Sequence, residues 1–287
     1  MSADVTSRRS ALLARVDLFR SSSLALTGLT ISGFLIVVAL LAPVLAPFDP
    51  LDVGVGPRLE PPSLSHLMGT DDFGRDVLSR VIYATRTDLS IGVAAVSLGA
   101  AVGTTLGAIA GYFRVFDEIL MRVLDVVQAF PMFILAMGLA VALGRGKMTV
   151  VYAVGFVMVP IFARLARSEM LSAKQRGYAE AARCLGASKT EMILVHLLPN
   201  CLTALMVQFA ITIGYAILES AALSFIGLGV RPPEPAWGSM VHQAMGFVVS
   251  GQWWLWLFPS AMLSVAILGF NLLADGLRDV TDPTLRT

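Results

Sequence analysis

Few side chains in this sequence are of types that do chemistry, and their spacing narrows the options further. His66, His196 and His242 stand alone in three separate segments, so no Cys/His set has metal-ligand spacing. Cys184 and Cys201, the two cysteines, fall on or beside one predicted loop and make no disulfide framework. No serine or cysteine nucleophile carries a matching His and Asp signature. Phosphate chemistry of the common kind needs G-x-x-x-x-G-K-[ST]. The nearest approximations, from Gly144 to Thr149 and from Gly186 to Thr190, fail in spacing or residue type. That leaves Glu219, an acid well inside an apolar run. A carboxylate is costly in lipid, so it must face protein or water and have a partner. Two readings stand: Glu219 lines a solute path or its outer gate, or it is tied to a helix dipole or a polar group at a subunit interface.

The elements that position such a group are membrane helices. Of 287 residues, 56% are apolar and 14% charged, against about a quarter charged in an average soluble chain. Mean hydropathy is +0.76. Too few charges are present to dress the surface of a soluble domain. A net charge of +1 points to no nucleic-acid partner. A span needs about 20 apolar residues, and six stretches meet or approach that: 24–47, 89–111, 126–144, 148–166, 201–228 and 253–274. Pro131, Pro160 and Pro259 fall inside them, which membrane helices tolerate when neighbours satisfy the freed carbonyls. The sequence therefore predicts an all-α integral membrane fold of about six transmembrane helices.

With the N-terminus placed in the cytoplasm, fourteen of the 21 Lys and Arg residues fall on inner segments and seven on outer ones. This bias predicts both termini inside. The expected organisation is a cytoplasmic tail over 1–23, a first span over 24–47 and an outer segment over 48–88. A five-helix core over 89–275 contains a long cytoplasmic loop at 167–199, and a cytoplasmic tail follows over 276–287. The apolar run after the basic N-terminal residues is too long for a signal-peptide core and reads as a retained span. Residues 72–87 read as an interfacial helix before the chain re-enters the membrane. Trp253, Trp254 and Trp256 are expected at the outer headgroups.

Two patterns stand out within the core. Gly99, Gly103, Gly107 and Gly111 recur every fourth residue, about 40° apart around a helix, and form one bare stripe. Such a stripe lets another helix backbone approach closely. In the cytoplasmic loop, Tyr178, Ala181, Ala182 and Leu185 fall at i, i+3, i+4 and i+7, an apolar helical face. Gly186 stands where a left-handed C-terminal cap belongs. Ser188 and Glu191 form a capping box that starts a second helix at Lys189, and Pro199 is expected to stop it. The product is two short helices joined at a bend beneath the membrane. It reads either as a connector resting on lipid headgroups or as a rigid knob offered to a partner.

The run Glu180-Ala181-Ala182, Gly186, Leu198-Pro199 resembles the EAA motif of permease subunits of bacterial ATP-binding-cassette importers. His196 stands where that family usually has isoleucine, a substitution similar to its peptide-transporter branch. The segment from His66 to Arg80 resembles the second permease of dipeptide, oligopeptide and nickel importers. So do Leu223 to Gly229 with Pro232-Pro233 and Trp237-Gly238, and Asn271 to Asp279 with Asp282-Pro283.

The resemblance implies the transmembrane-domain fold of type I importers in a bacterial inner membrane. It implies that the 178–199 element couples to an ATPase. It further implies two ATP-binding subunits that carry ATP and Mg, a sister permease and a periplasmic solute-binding protein, with no cofactor bound by this chain. Peptides are the implied cargo, with nickel chelates, opines and small oligosaccharides as alternatives. An ion-coupled secondary transporter, the competing class, would show internal repeats and several intramembrane ionisable groups, where this sequence offers only Glu219.

Overall fold

The computed structural model describes residues 23–281. Arg8, Arg9, Arg15 and Arg20 of the expected tail, and Asp282-Pro283 and Arg286 at the other end, lie outside the described residues. Regular structure among the described residues is helical: α1 (Ser23–Leu45), α2 (Val77–Tyr112), α3 (Arg114–Gln128), α4 (Met132–Leu143), α5 (Lys147–Lys174), α6 (Gly177–Cys184), α7 (Lys189–Phe225), α8 (Trp237–Ala244) and α9 (Trp254–Thr281). Helices α1, α2, α5, α7 and α9 are long and apolar enough to cross a membrane. The bent pair α3–α4 makes a sixth crossing if it is one span.

The glycine stripe forms a long, close seam, and its partner is the chain's own α5. A Cβ added at Gly99 would lie 2.8 Å from the Gly155 carbonyl oxygen. One at Gly103 would lie 2.5 Å from the Val159 carbonyl oxygen and 2.8 Å from Phe162 Cβ. At Gly107 it would run into the backbone of Ala163, and at Gly111 it would lie 2.6 Å from Met170 Cβ. Any side chain here would force the two helices apart, so the bare stripe sets how closely they pack. A second seam joins α1 to α9, where Gly28 meets Leu272 and Leu273, and Gly276 meets Ala25. Phe162, Met158 and Met170 fill the core beside the first seam and are fully buried.

Four expectations need correction. The interfacial helix expected over 72–87 does not exist as a separate element. Asp76 caps α2, its carboxylate accepting from the Ser79 N–H at 2.8 Å, and the helix runs on for 36 residues. That is about 54 Å, well beyond the ~30 Å hydrocarbon core. The polar residues that suggested a break, Thr85, Thr87 and Asp88, are buried against protein, so nothing drives a break there. The span expected over 126–144 is also not straight. The chain turns by 89° between α3 and α4, beside Pro131, whose missing N–H and ring disfavour a continuous helix.

Pro199 does not end a helix. The helix continues from Lys189 to Phe225, widened to a π turn over Met192–Leu197 just before the proline. That wider turn accommodates the proline ring without a break. Finally, Trp254 does not sit among headgroups. It is buried, and its indole N–H donates to the Thr70 carbonyl at 3.2 Å. Trp253 and Trp256 remain partly exposed.

Trp254 thereby fastens a cap built from residues 46–76. In that cap His66 Nδ1 donates to Asp76 Oδ1 at 3.0 Å, and Asp76 Oδ2 accepts from the Ser79 hydroxyl at 2.7 Å. Asp71 Oδ2 lies 2.6 Å from Arg75 Nε and 3.6 Å from Arg80 Nε. Arg80, almost wholly buried, also donates to the carbonyls of Pro50 (2.9 Å) and Pro233 (3.3 Å). One guanidinium thus joins the cap, α2 and the loop before α8. The 66–80 segment, read from sequence only as a resemblance, is the chain's main buried polar network.

Candidate functional site

The bend between α6 and α7 follows from local chemistry. Gly186 has φ +83°, the left-handed conformation that glycine adopts without a Cβ penalty. The Ala187 N–H reaches the Ala182 carbonyl at 3.1 Å, and the Gly186 N–H reaches that of Arg183 at 3.0 Å. These two bonds make a full Schellman closure of α6. Two residues on, the Ser188 hydroxyl accepts from the Glu191 N–H, and the Glu191 carboxylate accepts from the Ser188 N–H, each at 3.3 Å. One helix is closed and the next opened within five residues, which fixes the angle between them.

The stripe expected along α6 divides in two. Ala179 and Ala182 turn inward, joining Ala173, Met192 and Leu197 in the buried core. Tyr178, Ala181 and Leu185 turn outward, and Leu185 is 88% exposed. The small side chains face the chain's own body, where close approach is needed, and the larger apolar ones remain uncovered. Glu180, Ser188, Glu191 and Pro199 are exposed, and His196 and Leu198 are half-buried.

Sequence reading missed how this knob is tied to the spans. Lys174, at the end of α5, donates to the Tyr112 carbonyl at 3.0 Å and lies 5.1 Å from the centre of its ring. Lys189, at the start of α7, lies 5.8 Å from the centre of the Phe113 ring. The two lysines flank α6, so the knob is clamped to the C-terminal end of α2. Helix α3 is held in turn by bonds from Arg167 to Asp117 and from Arg164 to Asp125 (2.6 Å). Charged residues at the ends of apolar helices were the available signal. Their partners lie 39 to 76 residues away in sequence, where spacing gives no clue.

Glu219 lies on α7, with Gln208, Ile211, Tyr215 and Ala222 at helical spacing on the same face. Its Oε2 is buried without a hydrogen-bond partner among the described residues. Glu219 is not brought to the α6–α7 knob; the two occupy opposite ends of α7. A second acid, Asp88 on α2, is fully buried, and its Oδ2 accepts the Trp237 N–H at 2.7 Å, capping α8. Sequence reading gave neither Asp88 nor α8 a role.

Among the described residues, five helices are long and apolar enough to cross a membrane, and a capped two-helix knob is clamped to the end of one of them. The chain belongs to the family of binding-protein-dependent transport system inner membrane components, whose profile matches residues 103–287. Residues 16–62 match the N-terminal transmembrane domain of oligopeptide transport permease C. It is 41% identical over 259 residues to a putative peptide transport system permease protein of Brucella suis, covering 90% of this chain and 87% of that one. It is 39% identical to the dipeptide transport system permease protein DppC of Alkalihalophilus pseudofirmus, covering 93% and 88%. It is 41% identical to the glutathione transport system permease protein GsiD of Pectobacterium atrosepticum, covering 88% and 84%. The fold is that of the transmembrane domain of type I ATP-binding-cassette importers, and the protein is a multi-pass inner membrane component.

Proposed function

We propose that this chain forms half of the translocation pathway of an ATP-driven importer of di- and oligopeptides. A sister permease forms the other half. Two ATP-binding subunits hydrolyse ATP below it, and a periplasmic binding protein delivers cargo from above. The single observation that carries the reading is the α6–α7 knob. It is rigidly capped at Gly186 and Ser188, and it leaves Tyr178, Ala181 and Leu185 as an uncovered apolar face. In an importer that face seats in a groove of the ATPase. The clamps from Lys174 and Lys189 to Tyr112 and Phe113 then carry the groove's motion into α2 and α3. Peptide cargo is supported by the names of the relatives and by their similarity along most of the chain.

The knob lies in the cytoplasm in this reading, with both termini on the same side, in line with the charge bias. Arg75 and Arg80, two of the outer arginines, share Asp71 as a partner inside the cap. Glu219, whose buried Oε2 has no hydrogen-bond partner among the described residues, faces the pathway or its outer gate. Co-purification tests the assembly. An affinity-tagged chain should retain both ATP-binding subunits, and Leu185→Glu, which sets a charge into the apolar face, should release them. Retention of the ATPase subunits by Leu185→Glu at wild-type levels would count against docking through this face.

A further inference from the structure

The Arg80 guanidinium is a fork of N–H donors, and direct bonds to protein use only one side of it. Nη1 donates to the carbonyls of Pro50 and Pro233. On the other edge, Nε lies 3.6 Å from Asp71 Oδ2, longer than the ~2.7–3.2 Å of an N–H···O bond. Nη2, on that same edge, is buried without a hydrogen-bond partner among the described residues. In the same cluster Arg75 Nη2 stands 3.9 Å from Asp72 Oδ1, again too far for a direct bond. Arg80 is only 1% exposed, so bulk solvent does not reach its free edge.

That edge adjoins a space of definite size. Asp71, Asp72 and Arg80 line one cavity with about 20 Å³ of room for the centre of a water molecule. One water needs about 10–15 Å³ on that measure, so the cavity admits one. Gln243 adds an amide from α8, and the remaining lining is apolar. Charge then selects the class of guest. Asp71 and Asp72 face Arg75 and Arg80, two charges of each sign. The guanidinia would repel a cation and the carboxylates an anion, whereas a neutral molecule that both donates and accepts suits all four. A buried donor left unpaired is costly, and charged groups held just beyond ~3.5 Å are where a water bridges.

We propose that this cavity is the site of one ordered water, which accepts from Arg80 Nη2 and donates to the carboxylates of Asp71 and Asp72. Asp71 Oδ2 takes the Arg75 Nε–H at 2.6 Å on one lone pair, which leaves the other for the water. The water completes the bonds that Arg80 does not make directly and joins the cap to α2. The inference concerns the cap alone and holds whatever solute the chain carries.

A structure of the whole importer, resolved well enough to show other buried waters, tests the site directly. It should show one peak within about 2.7–3.2 Å of Arg80 Nη2, and absence of that peak overturns the proposal. A matched pair of variants reads the same site by stability. Ala244, 2% exposed, lines the cavity from α8. Ala244→Val fills the site with an apolar group, and Ala244→Thr fills it with the same shape but a hydroxyl that accepts in the water's place. The steric cost is alike in both, so their difference reports the need for a polar guest. Thermal unfolding of the purified full-length chain should place Ala244→Thr above Ala244→Val by about 2–4 °C, the shift of one hydrogen bond in a chain of a few hundred residues. In a dry cavity the order reverses, because a buried hydroxyl without a partner is costly. Ala244→Val at or above Ala244→Thr therefore overturns the site, and if neither variant folds, the density at Nη2 decides.

Discussion

Replacing Gly103 by alanine should loosen the central α2–α5 seam, and the distances give the size of the effect. The new Cβ would lie 2.8 Å from Phe162 Cβ and 2.5 Å from the Val159 carbonyl oxygen. Carbon atoms rest at about 3.5–4.0 Å, so the helices must part locally by about 0.7–1.2 Å. A gap of that order forfeits about a quarter to a half of the dispersion energy of the affected contacts. Overpacking of this kind costs about 1–3 kcal/mol. Alanine's better helix propensity returns about 0.5–1 kcal/mol, so the net loss is about 0–2.5 kcal/mol. Gly138 in α4 supplies the control, because nothing lies within 4 Å of a Cβ built there. Gly138→Ala keeps the propensity gain with no clash and should stabilise. Thermal unfolding of the purified chain, followed by size-exclusion chromatography, should therefore show Tm moving in opposite directions for the two variants. If Gly103→Ala unfolds at or above the temperature of Gly138→Ala, the seam does not set the packing and the reasoning fails.

Three further outcomes follow from the cap and the pathway face. Arg80→Ala leaves Asp71 its closer partner Arg75 but takes the donor from the buried carbonyls of Pro50 and Pro233, and should cost about 1–3 kcal/mol, read as a lowered unfolding temperature. Burial, with Asp71 beside it, holds the Asp72 carboxyl above its ordinary range against the pull of Arg75. The folded chain therefore binds that proton more tightly than the unfolded chain, and ionisation destabilises the cap as pH rises through the raised pKa. Asp72→Asn should raise Tm at neutral pH, and the gain should vanish as pH falls below the ordinary carboxylate range. Glu219→Gln should leave assembly intact and lower ATP-driven uptake several-fold; unchanged uptake and unchanged ATPase coupling would remove Glu219 from the pathway.

The spans were legible because apolar length alone reports them, and the caps at Gly186 and Ser188 because their chemistry is local. The glycine stripe announced a seam, though the sequence could not name α5 as the partner. Long-range pairing was hidden. Nothing in the spacing of Arg80, Asp71, Pro50 and Pro233 announces that one guanidinium holds them together. The break beside Pro131 was obscured by the apolar run that continues through it, since hydropathy reports composition and not direction. The α6 stripe was found but its two sides were not separated, because alanine suits both a buried contact and a docking face.

Cys184 offers the most direct measurement on the central claim. It is exposed at the end of α6 beside Leu185, while Cys201 is buried, so a thiol reagent reads the knob in the unmodified chain. A membrane-impermeant maleimide should label Cys184 in inside-out vesicles stripped of ATPase subunits, and should not label it in right-side-out vesicles. Restoring the ATPase subunits should protect it. Labelling from the outer side, or labelling that the ATPase subunits leave unchanged, would contradict the account of this knob as the cytoplasmic coupling element of an ATP-driven importer.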